Sequence, residues 1–330
     1  MFASLTPPLT RAISLRAYAR LHMGFFDLDG TLGRRFGSIG VGLNELYTRL
    51  DLSLANDWEA EGAASEKGLM LAQQLAARLQ SPVRARIRLH ETIPEHAGLG
   101  SGTQLALAVG VALTRLAGLN LTVREIAGLM NRGARSGIGI GTFEHGGLVV
   151  DGGRKPGTLV PPLLSRLALP DGWRFILVLD EADQGLSGSS EISAFQTLPP
   201  FPEARAAHLC HLVLMRALPA VAEQDLPAFG AAISEIQQVI GEYFAPAQGG
   251  RCHTSSRVAD WLHYLHRQGA VGIGQSSWGP TGFCMVDTPT RAAALVRAAR
   301  EHLGETHTLR VLVASARNRG ADLQFNDEDE

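Results

Sequence analysis

The chain of 330 residues is 45% hydrophobic and carries a formal net charge of −2. That length holds one large or two ordinary domains with cores of their own. Charges this balanced leave no electrostatic footprint for nucleic acid or a membrane surface, so neither is expected as a partner.

Residues 1–13, with Pro7-Pro8, read as a frayed tail that lacks the apolar region of a signal peptide. Arg16 to Arg20 reads as strand, and Arg20-Leu21-His22-Met23-Gly24 alternates as a half-exposed strand does. The spacing of Leu69, Ala72 and Ala76 predicts a helix over Glu66 to Leu79, followed by a strand over Val83 to Leu89. Pro94 to Thr103 is then a glycine-rich turn (Gly98, Gly100, Gly102) running straight into the apolar segment Leu105 to Leu116. That order presents successive backbone N–H groups at a helix start, which is where phosphate binds. The stretch Ala97 to Thr114 is uncharged, but its glycines and polar start make it a buried helix rather than a membrane span.

Pro161-Pro162 and Pro170-Asp171-Gly172 punctuate the middle, dividing the chain into domains of 14–170 and 171–325. Beyond them come a strand over Arg174 to Leu179, helices over Ala204 to Leu218 and Leu226 to Gly241, and a helical pattern through Val258, Trp261, Leu262 and Leu265. A second glycine-rich segment, Gly272 to Gly282, precedes the strand Phe283 to Val286; a helix over Thr290 to Leu303 and a strand over Leu309 to Ala314 follow. A helix between two strands is the unit of a ferredoxin-like half, so the class is α+β, closing on an acidic tail at 326–330. Cys210, Cys252 and Cys284 are odd in number and far apart, the usage of a reduced, cytoplasmic protein without a zinc site. His208, Cys210 and His211 fall in an amphipathic run and read as ordinary face residues.

Two strings compete for attention. Phe25 to Thr31 matches the first motif of haloacid-dehalogenase-like phosphatases, in which Asp27 would attack phosphorus. That nucleophile should end a buried parallel strand, the alternating residues before it argue otherwise, and the chain has only two lysines, Lys67 and Lys155. Ile176 to Asp183 resembles the acidic strand end of a helicase, but no Gly-x-x-x-x-Gly-Lys-Ser/Thr occurs, and Asp180 to Asp183 reads as a solvated strand end.

The glycine segments carry a family resemblance. Gly98-Leu99-Gly100-Ser101-Gly102-Thr103 is similar to the phosphate loop of the GHMP small-molecule kinase superfamily, and Gly272 to Gly282 occupies the place of its C-terminal glycine motif. Arg132-Gly133-Ala134-Arg135-Ser136-Gly137-Ile138-Gly139 resembles that superfamily's Gly-x-x-Ser-Gly-x-Asp segment, with Gly139 where the kinases keep their catalytic aspartate. Within the superfamily the chain resembles the beta-ribofuranosylaminobenzene 5'-phosphate synthases of methanopterin biosynthesis, from about Ser14 to Asp322. The match rests on Arg20 to Gly30, Arg35 to Gly40, Gly139 to Gly153 and, most specifically, Gly274-Gln275-Ser276-Ser277-Trp278-Gly279-Pro280-Thr281. Asp29, Ser38 and Met23 depart from that pattern.

The resemblance implies a ribosomal-S5-domain-2-like N-terminal domain, a ferredoxin-like C-terminal domain and a site in the cleft between them. It implies a decarboxylating glycosyl transfer that joins phosphoribosyl diphosphate to 4-aminobenzoate or 4-hydroxybenzoate and releases carbon dioxide and diphosphate. The expected substrate and diphosphate contacts are Gly98, Leu99, Gly100, Ser101, Gly102, Thr103, Arg132, Arg135, Ser136, Gln275, Ser276, Ser277 and Trp278. Arg20, His22, Asp27 and Glu144 are the expected catalytic residues, and Ser101, Asp27 and Glu144 the expected ligands of Mg²⁺, with no organic cofactor. A homodimer is the expected assembly. Two alternatives stay open: an ATP-dependent kinase that brings another acid, such as Asp151, to the acceptor hydroxyl, and a non-catalytic sugar-phosphate sensor.

Overall fold

A computed structural model describes residues 12–183, 194–304 and 308–326. The first sheet has the order β11-β1-β2-β4-β3, built from β1 (Ala12–Asp27), β2 (Gly37–Leu54), β3 (Glu59–Gly62), β4 (Ala85–Glu91) and β11 (Asp322–Asn326). The long β2 forks: Arg49 to Leu54 pairs with β4, while Ser38 to Val41 pairs with β5 (Leu148–Asp151), which carries β6 (Leu163–Leu167). Helices α1 (Ser65–Leu79), α2 (Ser101–Leu116), α3 (Val123–Leu129) and α4 (Ile138–His145) belong to the same half. The second sheet has the order β10-β7-β9-β8, from β7 (Arg174–Asp180), β8 (Val271–Gln275), β9 (Thr281–Val286) and β10 (Leu309–Ser315). Fourth-first-third-second in its own chain order is the antiparallel arrangement of a ferredoxin-like half.

Helices α8 (Ser256–Arg267) and α9 (Pro289–Leu303) cover one face of the second sheet through Val258, Trp261, Leu262, Ala292 and Val296. Its other face shares a core with the first sheet: Phe175, Leu177 and Phe283 join Leu21, Met23 and Ile39, with α5 (Glu203–Leu212), α6 (Leu218–Ala222) and α7 (Leu226–Phe244) between them. The predicted helix over Ala204 to Leu218 is α5 followed by a π turn at Val213–Ala217, where the run continues into α6 with Pro219 in its first turn, the place where a missing N–H costs least.

β1 alternates buried and half-buried residues only as far as Ala17. From there it is packed on both faces, by α2 and α4 on one side and by α5 and α7 on the other, so Leu21, His22, Met23 and Gly24 are buried. The half-exposed reading of this stretch is thus corrected. Asp27 ends a strand paired antiparallel to β2, not the buried parallel strand a phosphatase nucleophile requires.

Two boundaries move as well. Ala12 and Ile13 already pair with Ser53 and Leu52, so they are strand and not tail; residues 1–11 and 327–330 lie outside the described residues. Asp322–Asn326 returns to the first sheet beside Arg16 to Ala12, so the stretch 171–325 does not all belong to the second domain, and Asn326 is strand. The physical reason is the free edge of β1, whose N–H and C=O groups need a partner strand.

Asp180 is the third correction. Its carboxylate is buried at the end of β7, accepts from Ser255 Oγ at 2.6 Å and from Arg257 Nε and Nη2 at 3.0 Å each, and fixes the start of α8. A solvated strand end would hold none of these. Replacing Arg257 by Met leaves a buried carboxylate short of its charged donors, and we expect a loss of about 2 kcal/mol of unfolding free energy. A urea midpoint equal to wild type would show that Asp180 needs no counter-charge.

Candidate active site between the two glycine loops

The two glycine segments meet backbone to backbone. Gly98 (φ +77°) has no room for a side chain, because a Cβ there would lie 2.3 Å from the Ser276 carbonyl oxygen. Gly279 is the reciprocal contact, 2.4 Å from the Ala97 carbonyl and the Gly98 nitrogen. Ser276 Oγ donates to the Gly98 carbonyl at 2.7 Å and accepts from the His22 amide at 3.0 Å, while the Arg20 guanidinium donates to the same carbonyl. The Arg20 amide donates to the Leu99 carbonyl at 3.0 Å. Irregular register between β1 and β2 at Tyr18/Arg20 and at His22/Gly24 turns these two residues toward the loops, the usual work of a bulge.

A cavity of about 450 Å³ opens beside this junction, within the ~300–1,000 Å³ range of small-molecule sites. Its floor is the start of α2. Gly100 caps that helix in the left-handed region (φ +84°) with no side-chain hydrogen bond, so the amides of Ser101 and Gly102 face the cavity without a protein acceptor. Arg132 stands beside them, Nη1 lying 3.9 Å from the place of a Gly102 Cβ, with its Nε buried and without a partner. Burial lowers the pKa of this guanidinium, the cost of holding a cation out of water. Among the described residues Arg20, Arg135 and Lys67 also line the cavity, and the one carboxylate there, Glu95, pairs with Lys67. Positive charge, free amides and one spent acid suit an anionic guest.

The far wall is aromatic. Trp278 is 2% exposed, packs on Phe244 at 4.0 Å between ring centres and meets Phe195 edge-on at 5.5 Å. His22 is equally buried, 4.6 Å from Phe25, and both rings line the cavity. Burial, followed by the nearby Arg20 charge, pushes the His22 imidazole down to about 3, so the ring is neutral.

Of the sequence-predicted contacts, Arg20, His22, Gly98, Gly100, Ser101, Gly102, Thr103, Arg132, Arg135, Ser136, Ser277 and Trp278 line this cavity. Leu99 turns into the core, Ser276 is buried as the tie between loops, and Gln275 holds the Thr254 amide and Gln248 beside a smaller neighbouring cavity. Asp27 and Glu144 do not line the cavity. Asp27 sits in the Asp29 turn, its pKa raised by burial first and then by the neighbouring acid; Glu144 lies 3.5 Å from His145 at the end of α4. Among the described residues no cluster of three or more His, Cys, Asp or Glu is placed to hold a metal ion. Ser101, Asp27 and Glu144 therefore do not fit Mg²⁺ as a ligand set. Sequence reasoning missed Lys67, Glu95, His96 and Asn131, whose only advance signal was the scarcity of lysine.

Gly139 and Asp151 settle into packing roles. A Cβ on Gly139 would stand 3.0 Å from Thr103 Cγ2, and its carbonyl accepts from Gln104 Nε2 at 2.8 Å, so this glycine seats α4 on α2. Asp151 is 1% exposed and accepts from Ser38 Oγ, the amides of Gly137 and Gly153, and Ser136 Oγ. It holds the start of α4 and is not available to an acceptor hydroxyl.

The sequence signature of the GHMP kinases N terminal domain matches residues 60–147, and that of the GHMP kinases C terminal matches 217–305. A beta-ribofuranosylphenol 5'-phosphate synthase of Archaeoglobus fulgidus is 34% identical, over 94% of this chain and 99% of that protein. The chain belongs to this synthase family. The enzyme of the same name from Methanothermobacter thermautotrophicus is 32% identical over 92% of the chain and 96% of its own length. In fold, the chain is similar to a putative homoserine kinase from Listeria monocytogenes (TM-score 0.68, 18% identity, 95% of this chain and all of that one). A mevalonate pyrophosphate decarboxylase from Streptococcus pyogenes gives a TM-score of 0.67 at 13% identity, covering 94% of this chain and 98% of that one. The α+β two-domain fold is thus that of the GHMP superfamily.

The neutral His22 has a consequence for acid stability. An unfolded histidine titrates near ~6.5, whereas the folded ring takes its proton only at about 3, so between these values the unfolded chain binds more protons. Stability owed to this group is full above the unfolded value and is lost as pH falls through that window. His22→Asn should therefore lose less stability than wild type between pH values of about 6.5 and 4. Urea unfolding at both pH values checks this, and equal losses would contradict it.

Proposed function

We propose that this enzyme joins phosphoribosyl diphosphate to 4-hydroxybenzoate, with release of carbon dioxide and diphosphate, giving a beta-ribofuranosylphenol 5'-phosphate. The relatives' names give a phenol product, which supports the hydroxy acid over the amino acid. One observation carries the reading to this site: the unpartnered Arg132 guanidinium beside the two free amides at the start of α2.

The chemistry asks for a sink for departing negative charge. As the C1–O bond of the ribose breaks, its electron pair leaves on diphosphate; the uncapped start of α2 at Ser101 and Gly102, with Arg132 beside it, supports a site for that charge that needs little reorganisation. The ribose becomes oxocarbenium-like. The ring carbon bearing the carboxylate, made electron-rich by the para hydroxyl, then attacks C1. When the new C–C bond has formed, the pair of the ring–carboxylate bond returns to the ring and carbon dioxide departs. No proton has to be removed, which agrees with the lack of a carboxylate at Gly139. Arg20 and Arg135 place positive charge on the cavity wall, which suits the benzoate carboxylate.

Among the described residues Asp27 and Glu144 stay off the cavity wall, so no step is routed through a metal ion held by Ser101, Asp27 and Glu144. A kinase is disfavoured because Asp151 is fully engaged with four donors. Carboxyl-labelled 4-hydroxybenzoate with phosphoribosyl diphosphate should release labelled carbon dioxide with no nucleotide present. Arg132→Met should lower kcat/KM about a hundredfold or more, with a urea midpoint near wild type. Release that depends on ATP, or an Arg132→Met enzyme of full activity, would overturn the proposal.

A further inference from the structure

Resting on that reading, the inference concerns how the ring is recognised. Trp278 Nε1 and His22 Nε2 are both shut off from water and, among the described residues, both lack a hydrogen-bond partner. Their rings line the same cavity, on the wall built with Phe25. Ser276 and Gln275, which stand next to them, are by contrast satisfied, Ser276 twice over and Gln275 three times. A buried polar atom left unpaired costs about 1–3 kcal/mol, so two within one wall are a standing cost that a guest can relieve.

The two atoms differ in kind. Indole N–H is a donor only. The His22 ring bonds its own backbone, which leaves Nε2 of the neutral imidazole as an acceptor. We propose that His22 and Trp278 together read the para substituent of the aromatic substrate, Nε2 accepting a hydrogen bond from it and the Trp278 N–H donating one to its oxygen. A hydroxyl meets both demands. An anilino nitrogen can donate to His22, but its lone pair is delocalised into the ring and accepts poorly, so the Trp278 N–H stays unpaired. Discrimination between the two benzoates thus lives on Trp278, while His22 favours either over an unsubstituted ring.

The test is a competition on the intact enzyme. Wild type should favour 4-hydroxybenzoate over 4-aminobenzoate by about tenfold or more in kcat/KM, with unsubstituted benzoate the weakest competitive inhibitor of the three acids. Trp278→Phe keeps an aromatic wall and removes the donor; it should bring the two benzoates to within about threefold of each other by losing efficiency on the hydroxy acid alone. Equal use of both benzoates by wild type would overturn the inference, as would a Trp278→Phe enzyme that keeps the wild-type ratio. Should that variant not fold, the order of the three acids on wild type still decides. Carbon dioxide released from neither benzoate would instead remove the proposed activity, and this inference with it.

Discussion

The Gly98 carbonyl is the contact on which the rest of the molecule depends. It accepts from Ser276 Oγ and from the Arg20 guanidinium, and so ties β1, the turn before α2 and the turn after β8 at one oxygen. The tie needs two glycines face to face, because any Cβ at Gly98 or Gly279 would enter the opposing backbone. The same contact joins the two sheets and sets the cavity mouth. Glycines that looked like ligand-facing residues therefore divide the work: Gly98 and Gly279 allow two backbones to touch, and Gly102 leaves space for a guest.

From that junction the site inherits both its charge and its walls. With Gly100 in the left-handed region, α2 starts without a side-chain cap, a helix start of the kind that suits an anion. β1 supplies Arg20 and His22 at two register breaks, and the second loop supplies Ser277 and Trp278. One side of the cavity is thus cationic and polar, the other aromatic and dry. A substrate pair with a charged sugar and a flat ring matches that division.

Much of this was legible in the chain. The phosphate turn, its helix, the second glycine segment and the central strands of the second sheet follow from glycine placement and apolar period. What the sequence hid is long-range. The burial of Leu21 to Gly24 depends on helices that arrive from both sides of the sheet, and β11 comes back from the far end of the chain to satisfy the β1 edge. Asp180 looked solvated because its partners, Ser255 and Arg257, lie some distance along the chain. The family resemblance points to Asp27 and Glu144 as the acids, yet the turn at Asp29 and the end of α4 keep them off the cavity wall. Lys67 reaches it, and pairs with Glu95 of the turn before α2, because α1 packs beside α2. Gly100 and Gly102 seemed equivalent, but a side chain on Gly100 meets both a left-handed backbone and Arg20 Cγ at 2.9 Å, whereas Gly102 meets only the Arg132 tip.

That last difference makes Gly102 the most direct handle on the central claim, that diphosphate sits on the α2 start beside Arg132. Calorimetric titration of inorganic diphosphate into wild type and Gly102→Val, with urea unfolding of both, measures it. The account predicts binding by wild type, at least a tenfold weaker affinity in the variant, and nearly equal unfolding midpoints. Equal affinity for diphosphate in the two proteins would contradict it.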